Sequence, residues 1–245
     1  MAQRTFRPPP WAILATMAGC LLMIALGVWQ LQRAQEKRAL DARYAQAAGQ
    51  PPIELQAGAA PPVGLMPRAA RARGVYLADR QMLLDNQTHG ARIGYAVWTP
   101  LRLVDGALLI VNRGWIPHTA SGQLPTRLPA PEGEIEVRGL WRALPQPGLR
   151  LGAEPACVSA ADRSWPRLVL YPTAAQLSCL YAAPVLPGEL LLAPELPGGF
   201  LRDWRTVAPG FPPQRHEAYA LQWFAMAAAL LIIFIRLNLK PARSK

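Results

Sequence analysis

Residues 11–29, "WAILATMAGCLLMIALGVW", run for 19 positions without a charge. At 1.5 Å per helical residue they span roughly 28 Å, about one bilayer hydrocarbon core. Trp11 and Trp29 bracket the run, as aromatics do at both membrane interfaces. A cleaved signal peptide is the competing reading, with Ala25-Leu26-Gly27 as its small-x-small site. The apolar run, however, exceeds the ~7–15 residues of a signal core. A second run, residues 219–235, is apolar apart from Gln222, and its 17 residues sit at the lower limit for a spanning helix. The expected organisation is a tail (1–10), a first transmembrane helix (11–29), a domain (30–215), a second transmembrane helix (216–235) and a tail (236–245).

Orientation follows from charge. Arg236, Lys240, Arg243 and Lys245 follow the second run with no acid among them, which places the C-terminus in the cytoplasm. Two spans then return the N-terminus, with Arg4 and Arg7, to the same side. Arg33, Lys37, Arg38 and Arg43 pull the other way locally, but positive residues leading a long translocated domain weigh less. Ten residues before the first span are too few for a mitochondrial presequence. The expected location is a bacterial plasma (inner) membrane, with the main domain facing the periplasm. The net charge of +11 is assigned to the lipid bilayer and the span flanks, not to nucleic acid. The aromatics lie in apolar runs instead of basic clusters, and no nucleic-acid motif appears.

Residues 30–48 have helical composition, so the first helix is expected to continue outward until Gly49-Gln50-Pro51-Pro52 stops it. Beyond a loop, "LQAGAAPPVGLMP", the pattern turns strand-like in "ARGVYLADRQMLLDNQ", "GYAVWTPLRLV", "ALLIVNRGWI" and "GEIEVRGLW". Asp105-Gly106 between two β-rich runs predicts a hairpin, since both positions tolerate positive φ. Pro100 then puts the first of these strands at an edge or in a bulge. "PRLVLY" and "PVLPGELLLA" are further strands around a short helix, "TAAQLSCL", and "LPQPGLRLGAEP" is a long loop. Strands joined by hairpins with hardly any crossover helix predict a mainly antiparallel, barrel-like sheet. The expected fold is thus two transmembrane helices flanking a β-rich extracytoplasmic domain with minor helix. Cys157 and Cys179 match no metal or redox spacing, and a disulfide or two free thiols both suit an outward domain.

Four stretches, in order along the chain, resemble the Surfeit locus protein 1 family. They are "GVWQLQR" (27–33), "IGYAVWTPLRLVDGALLIVNRGWIP" (93–117), "FLRDWR" (200–205) and "HEAYALQWFAMA" (216–227). Glu36 departs from the pattern, where the family commonly has an aromatic, and residues 145–164 also look unlike it. The resemblance implies a membrane factor for assembly of cytochrome c oxidase, with no bond chemistry of its own. It further implies that the protein binds haem a and aids its insertion or stabilisation in subunit I, with haem a synthase as a second partner. In bacterial members the histidine before the Tyr-Ala-x-x-Trp-Phe segment is implicated in binding haem a, which here is His216.

Neutral imidazole is a good axial ligand for haem iron, and a membrane-edge site lets the porphyrin rest on apolar side chains. At helical spacing His216, Tyr219, Trp223 and Met226 share a stripe. Trp29, Gln30 and Arg33 lie at a similar depth where the first apolar span ends, with Arg33 the candidate partner of a propionate. The expected site is therefore His216, as iron ligand, with Tyr219, Trp223, Trp29 and Arg33. Plainer roles compete: interfacial belt for the aromatics and snorkelling for Arg33. Asn112-Arg113-Gly114-Trp115 reads as structural ahead of a docking surface, with Gly for a bend, Trp for packing and Arg for a buried carboxylate.

An enzyme is the main rival class. His89, His118 and Ser121 lie near strand ends, yet no nucleophile elbow or phosphate-cradling loop accompanies them. Copper delivery would need clustered thiolate or Met/His ligands, which the outward domain lacks. A cofactor-free membrane scaffold that recruits oxidase subunits is the alternative function.

Overall fold

A computed structural model of the protein describes residues 4–56, 66–119, 122–125, 128–147, 157, 164–204 and 211–241. Residues 57–65 and 148–155 of the two expected loops, and Ser121, lie outside them. The elements in chain order are β1 (Arg4–Phe6), α1 (Pro10–Ala48), β2 (Ile53–Glu54), β3 (Arg68–Tyr76), β4 (Met82–His89) and β5 (Arg92–Leu103). They continue with β6 (Leu108–Pro117), β7 (Glu134–Arg142), β8 (Arg167–Val169), α2 (Ala174–Tyr181), β9 (Val185–Leu192), α3 (Pro213–Asn238) and β10 (Leu239–Pro241). Two compact units result: Met1–Ala42 with Thr206–Lys245, and Arg43–Arg205.

The first unit is an antiparallel helix pair. Both α1 and α3 are long and apolar enough to cross a membrane, and only 6% and 11% of their apolar windows are buried by protein. Leu14, Leu21, Leu22, Leu221 and Ile232 are exposed, the arrangement of helices whose apolar surface is left to lipid. α1 has 39 residues, about twice the ~20 a hydrocarbon core needs, so it runs well past its apolar segment. The pair is set by close approach. Gly27 is buried, and a Cβ there would lie 2.5 Å from the Phe224 ring; at Gly19 it would lie 2.9 Å from Leu230. Cys20 Sγ sits 3.7 Å from the Ala227 carbonyl. At the far end β1 and β10 pair antiparallel, and the Phe6 and Phe234 rings meet edge-on at 5.8 Å.

The second unit is an eight-stranded sheet in the order β2-β3-β7-β9-β6-β5-β4-β8, with β3 also paired to β5. The expected mainly antiparallel sheet needs correcting: it is mixed. The hairpin neighbours β4–β5 and β5–β6 are antiparallel, as are β3–β7, β3–β5 and β7–β9. The pairs β2–β3, β4–β8 and β6–β9 are parallel. β9 is reached from β6 through β7, β8 and α2, a connection long enough to return it in the same direction. The apolar run of β6 is buried on both faces, Leu109 and Val111 toward one cluster with Trp141, Leu108 and Ile110 toward another with Trp98. That explains a continuous apolar run in place of alternation.

The Asp105-Gly106 hairpin joins β5 to β6 as expected. Gly106 takes φ +86°, and Asp105 Oδ1 accepts from Ala107 N at 3.0 Å. β5 is not an edge strand, but its register shifts between Ala96 and Trp98. Pro100 lies where β5 changes neighbour from β4, paired up to Trp98, to β3, paired from Leu101. Its missing N–H therefore leaves no ladder bond unmade. α2 begins at a reciprocal cap: Gln176 N donates to Thr173 Oγ1 (3.2 Å) and Thr173 N to Gln176 Oε1 (2.8 Å). Cys179 on α2 is bonded to Cys157, with Cα atoms 5.3 Å apart.

Candidate functional site

Pro213 opens α3 in the first turn, where its absent N–H is not needed. One turn further, His216 is half-buried against α1, and its Nδ1 lies 2.7 Å from Gln30 Oε1. With the amide oxygen as acceptor, Nδ1 is the donor in this contact, and a neutral ring in this tautomer has its lone pair on Nε2. Around α3, Ala220 and Ala227 face α1 and are buried. His216 and Trp223, both half-buried, lie on one flank of that contact, and Tyr219 and Met226 continue the flank outward, 40% and 42% exposed. On the other flank Glu217 pairs with Arg38. The structure thus brings His216, Tyr219 and Trp223 onto one side of α3, with Gln30 behind the imidazole.

The two other expected residues sit differently. Trp29, two residues from Gly27, is roughly 160° round the helix from it and is half exposed. Arg33 Nη1 donates to Glu36 at 2.6 Å, with both side chains at least half exposed. Glu36, the departure from the family pattern, is therefore the present partner of the candidate propionate ligand. Phe211 stacks edge-on toward His216 (6.3 Å), and Arg215 lies over the Phe211 ring at 4.5 Å. Sequence reading missed Gln30 as a partner of His216, although it had placed the two at similar depth.

In the sheet unit, Asn112, Arg113 and Gly114 are buried and Trp115 is partly so. Arg113 is 1% exposed. Its Nη1 donates to Gln81 Oε1 and Thr99 Oγ1 (both 3.1 Å), its Nε to Gly198 O (2.7 Å) and its Nη2 to Pro129 O. Its guanidinium also faces the Tyr76 and Phe200 rings. Arg113 was expected to hold a buried carboxylate; it holds carbonyl, hydroxyl and amide oxygens instead. The buried carboxylate is Glu189, bound by Asn112 Nδ2 (2.9 Å) and Arg142 Nε (2.7 Å). Register decides this, because Arg142 stands directly opposite Glu189 on the neighbouring strand. Burial lowers the Arg113 pKa, with Tyr76 opposing and Arg202 adding to the effect. Burial likewise pushes the Tyr76 phenol up to about 12, against the pull of Arg113 and Arg202. For Arg142 burial acts downward, but Glu189 and Tyr44 reverse it and leave the pKa raised.

The "FLRDWR" stretch docks on this network. Leu201 bridges Trp115, Arg202 Nη1 donates to Ala193 O (2.6 Å) and Trp204 Nε1 to Leu192 O (2.9 Å). His118 Nε2 meets Asp85 Oδ1 at 3.1 Å on the surface, and His89 lies 5.4 Å from the Trp115 ring. Among the described residues no group of three or more His, Cys, Asp or Glu is placed to hold a metal ion.

Comparison with known proteins covers both units. The model of the SURF1 family matches residues 17–228. A SURF1-like protein of Monosiga brevicollis is 24% identical over an alignment of 241 residues that covers 94% of this chain and 87% of that relative. With one family match that enters within α1, passes through the sheet strands β2 to β9 and ends at Ala228 of α3, the chain belongs to the SURF1 family.

Proposed function

We propose that this protein is an assembly factor for cytochrome c oxidase, holding haem a at the mouth of its helix pair for the catalytic subunit I. The observation that carries the haem part is His216: Nδ1 is committed to Gln30 at 2.7 Å, which leaves Nε2 as the lone-pair nitrogen. Haem a, when bound, would supply an iron that takes a neutral imidazole as ligand. His216 would be that ligand, and Trp223 and Tyr219 continue an apolar flank suited to a macrocycle. Arg33 can meet a propionate, since an exposed pair such as Arg33–Glu36 contributes little and exchanges readily. Trp29, on another face of α1, serves the site as an interfacial aromatic anchoring the helix at its depth.

The same reading places the protein in a bacterial inner membrane with both termini inside, because four positive charges follow the second apolar run. The Cys157–Cys179 bond supports an oxidising compartment for the sheet unit. We read that unit as barrel-like, because β3 is paired along both edges. Haem a synthase is the source partner and subunit I the recipient; the protein itself acts as a carrier, with no covalent chemistry of its own.

The test is co-expression with a haem a synthase, detergent purification and an optical spectrum. Wild type should carry haem a, and His216→Ala should lose most of it while inserting normally, since one side chain at a helix mouth carries little packing. His216→Met should recover part of the binding with an altered spectrum. A His216→Ala protein that keeps the spectrum and supports full oxidase assembly would overturn the haem reading in favour of a cofactor-free scaffold.

A further inference from the structure

We propose that Gln30 is the positioning residue of this site, fixing both the tautomer and the direction of the His216 ring; this rests on reading His216 as the iron ligand. The two residues are 186 apart in sequence, yet Gln30 Oε1 lies 2.7 Å from His216 Nδ1, and both side chains are half-buried. A histidine ligand is commonly oriented through its second nitrogen, and an acceptor there raises the basicity of the ligating one.

Three features make Gln30 suited to this. First, its place is rigid: Gly27, one turn earlier, lies directly against Phe224, and Glu217, next to His216, pairs with Arg38 of α1. The imidazole is thus braced between two packed helices and has little freedom to swing. Second, the acceptor is a neutral amide. Near a bilayer boundary a carboxylate would have to be desolvated, a cost that the neutral amide avoids. Third, an amide is a weaker acceptor than a carboxylate. It leaves the imidazole a moderate donor, which suits a carrier that has to release its cargo.

A mere cross-helix strut would also explain a hydrogen bond at this position, so the test reads the iron, not only the fold. Ferric haem b is titrated into purified full-length wild type, Gln30→Leu, Gln30→Glu and His216→Ala in detergent. The midpoint potential and the iron–imidazole stretching frequency are recorded for each loaded protein. Gln30→Leu should weaken binding about 10–100-fold, the usual cost of losing such an outer partner, and raise the potential. Gln30→Glu should keep haem but lower the potential and raise the stretching frequency, because a carboxylate pulls harder on Nδ1–H. Shifts of opposite sign are expected of a positioning residue; shifts of the same sign, or none, would overturn the proposal. Helix pairing is checked in each variant by oxidative crosslinking of Cys20 to an Ala227→Cys thiol. Haem loss together with loss of the crosslink would make Gln30 a strut and overturn it too. If His216→Ala binds haem as wild type does, the ligand reading itself has failed, a result distinct from all the others.

Discussion

Tyr76 and Arg113 show how much of this chain is decided by single buried side chains. The Tyr76 phenol is held up at about 12 by burial, against an ordinary value of 10.0. An unfolded chain releases this proton near pH 10 and the folded one only near 12, so across that window the unfolded state binds fewer protons. Stability from this group is complete below pH 10 and is lost as pH rises to 12. The loss is on the order of 3 kcal/mol at about 1.4 kcal/mol per unit. In Tyr76→Phe, unfolding midpoints followed from pH 9 to 12 should fall less steeply than in wild type. An identical slope would remove Tyr76 from the account. At this scale sequence reading was uneven. His216 stood out as a histidine at the entry to an apolar run, and the family resemblance gave it its candidate role. Its contact with Gln30 was not legible, because an amide 186 residues away gives no local signal. The carboxylate expected on Arg113 went to Arg142 for the same reason: cross-strand register assigned it.

At the level of elements, local pattern carried far. The long apolar helices, the Asp105-Gly106 hairpin and the short capped helix each follow from one continuous local stretch of sequence. The parallel pairings did not, since β6 and β9 are separated by the whole of β7, β8 and α2, and no short-range rule fixes strand direction across such a distance. The helix pair offers a direct check. Cys20 lies beside Ala227, so an Ala227→Cys variant should crosslink readily on mild oxidation. Adding Gly27→Leu should abolish most of that crosslink, because even a Cβ at Gly27 falls 2.5 Å from the Phe224 ring and the helices must separate. Efficient crosslinking in the double variant would mean that close packing at Gly27 does not set the interhelical distance.

For the whole molecule the expected topology has an independent chemical readout. Export-dependent reporters should be active when fused near Gln146 and silent at the C-terminus. Alkylation of denatured, unreduced protein should mark Cys20 alone, since Cys157 and Cys179 are bonded to each other. An active reporter at the C-terminus, or three labelled thiols, would refute the arrangement. The pairing of β1 with β10, and of Gly27 with Phe224, joins segments that the whole sheet unit separates along the chain. At ribosomal rates of about 5–20 residues per second, α1 waits roughly ten seconds or longer before its partner exists. During that interval its glycine face is open to any other helix with small residues. A nascent chain is therefore most vulnerable to mispairing while its sheet unit is still being made. A truncation just before α3 would leave the same face permanently unclaimed with every strand of the eight-stranded sheet still present.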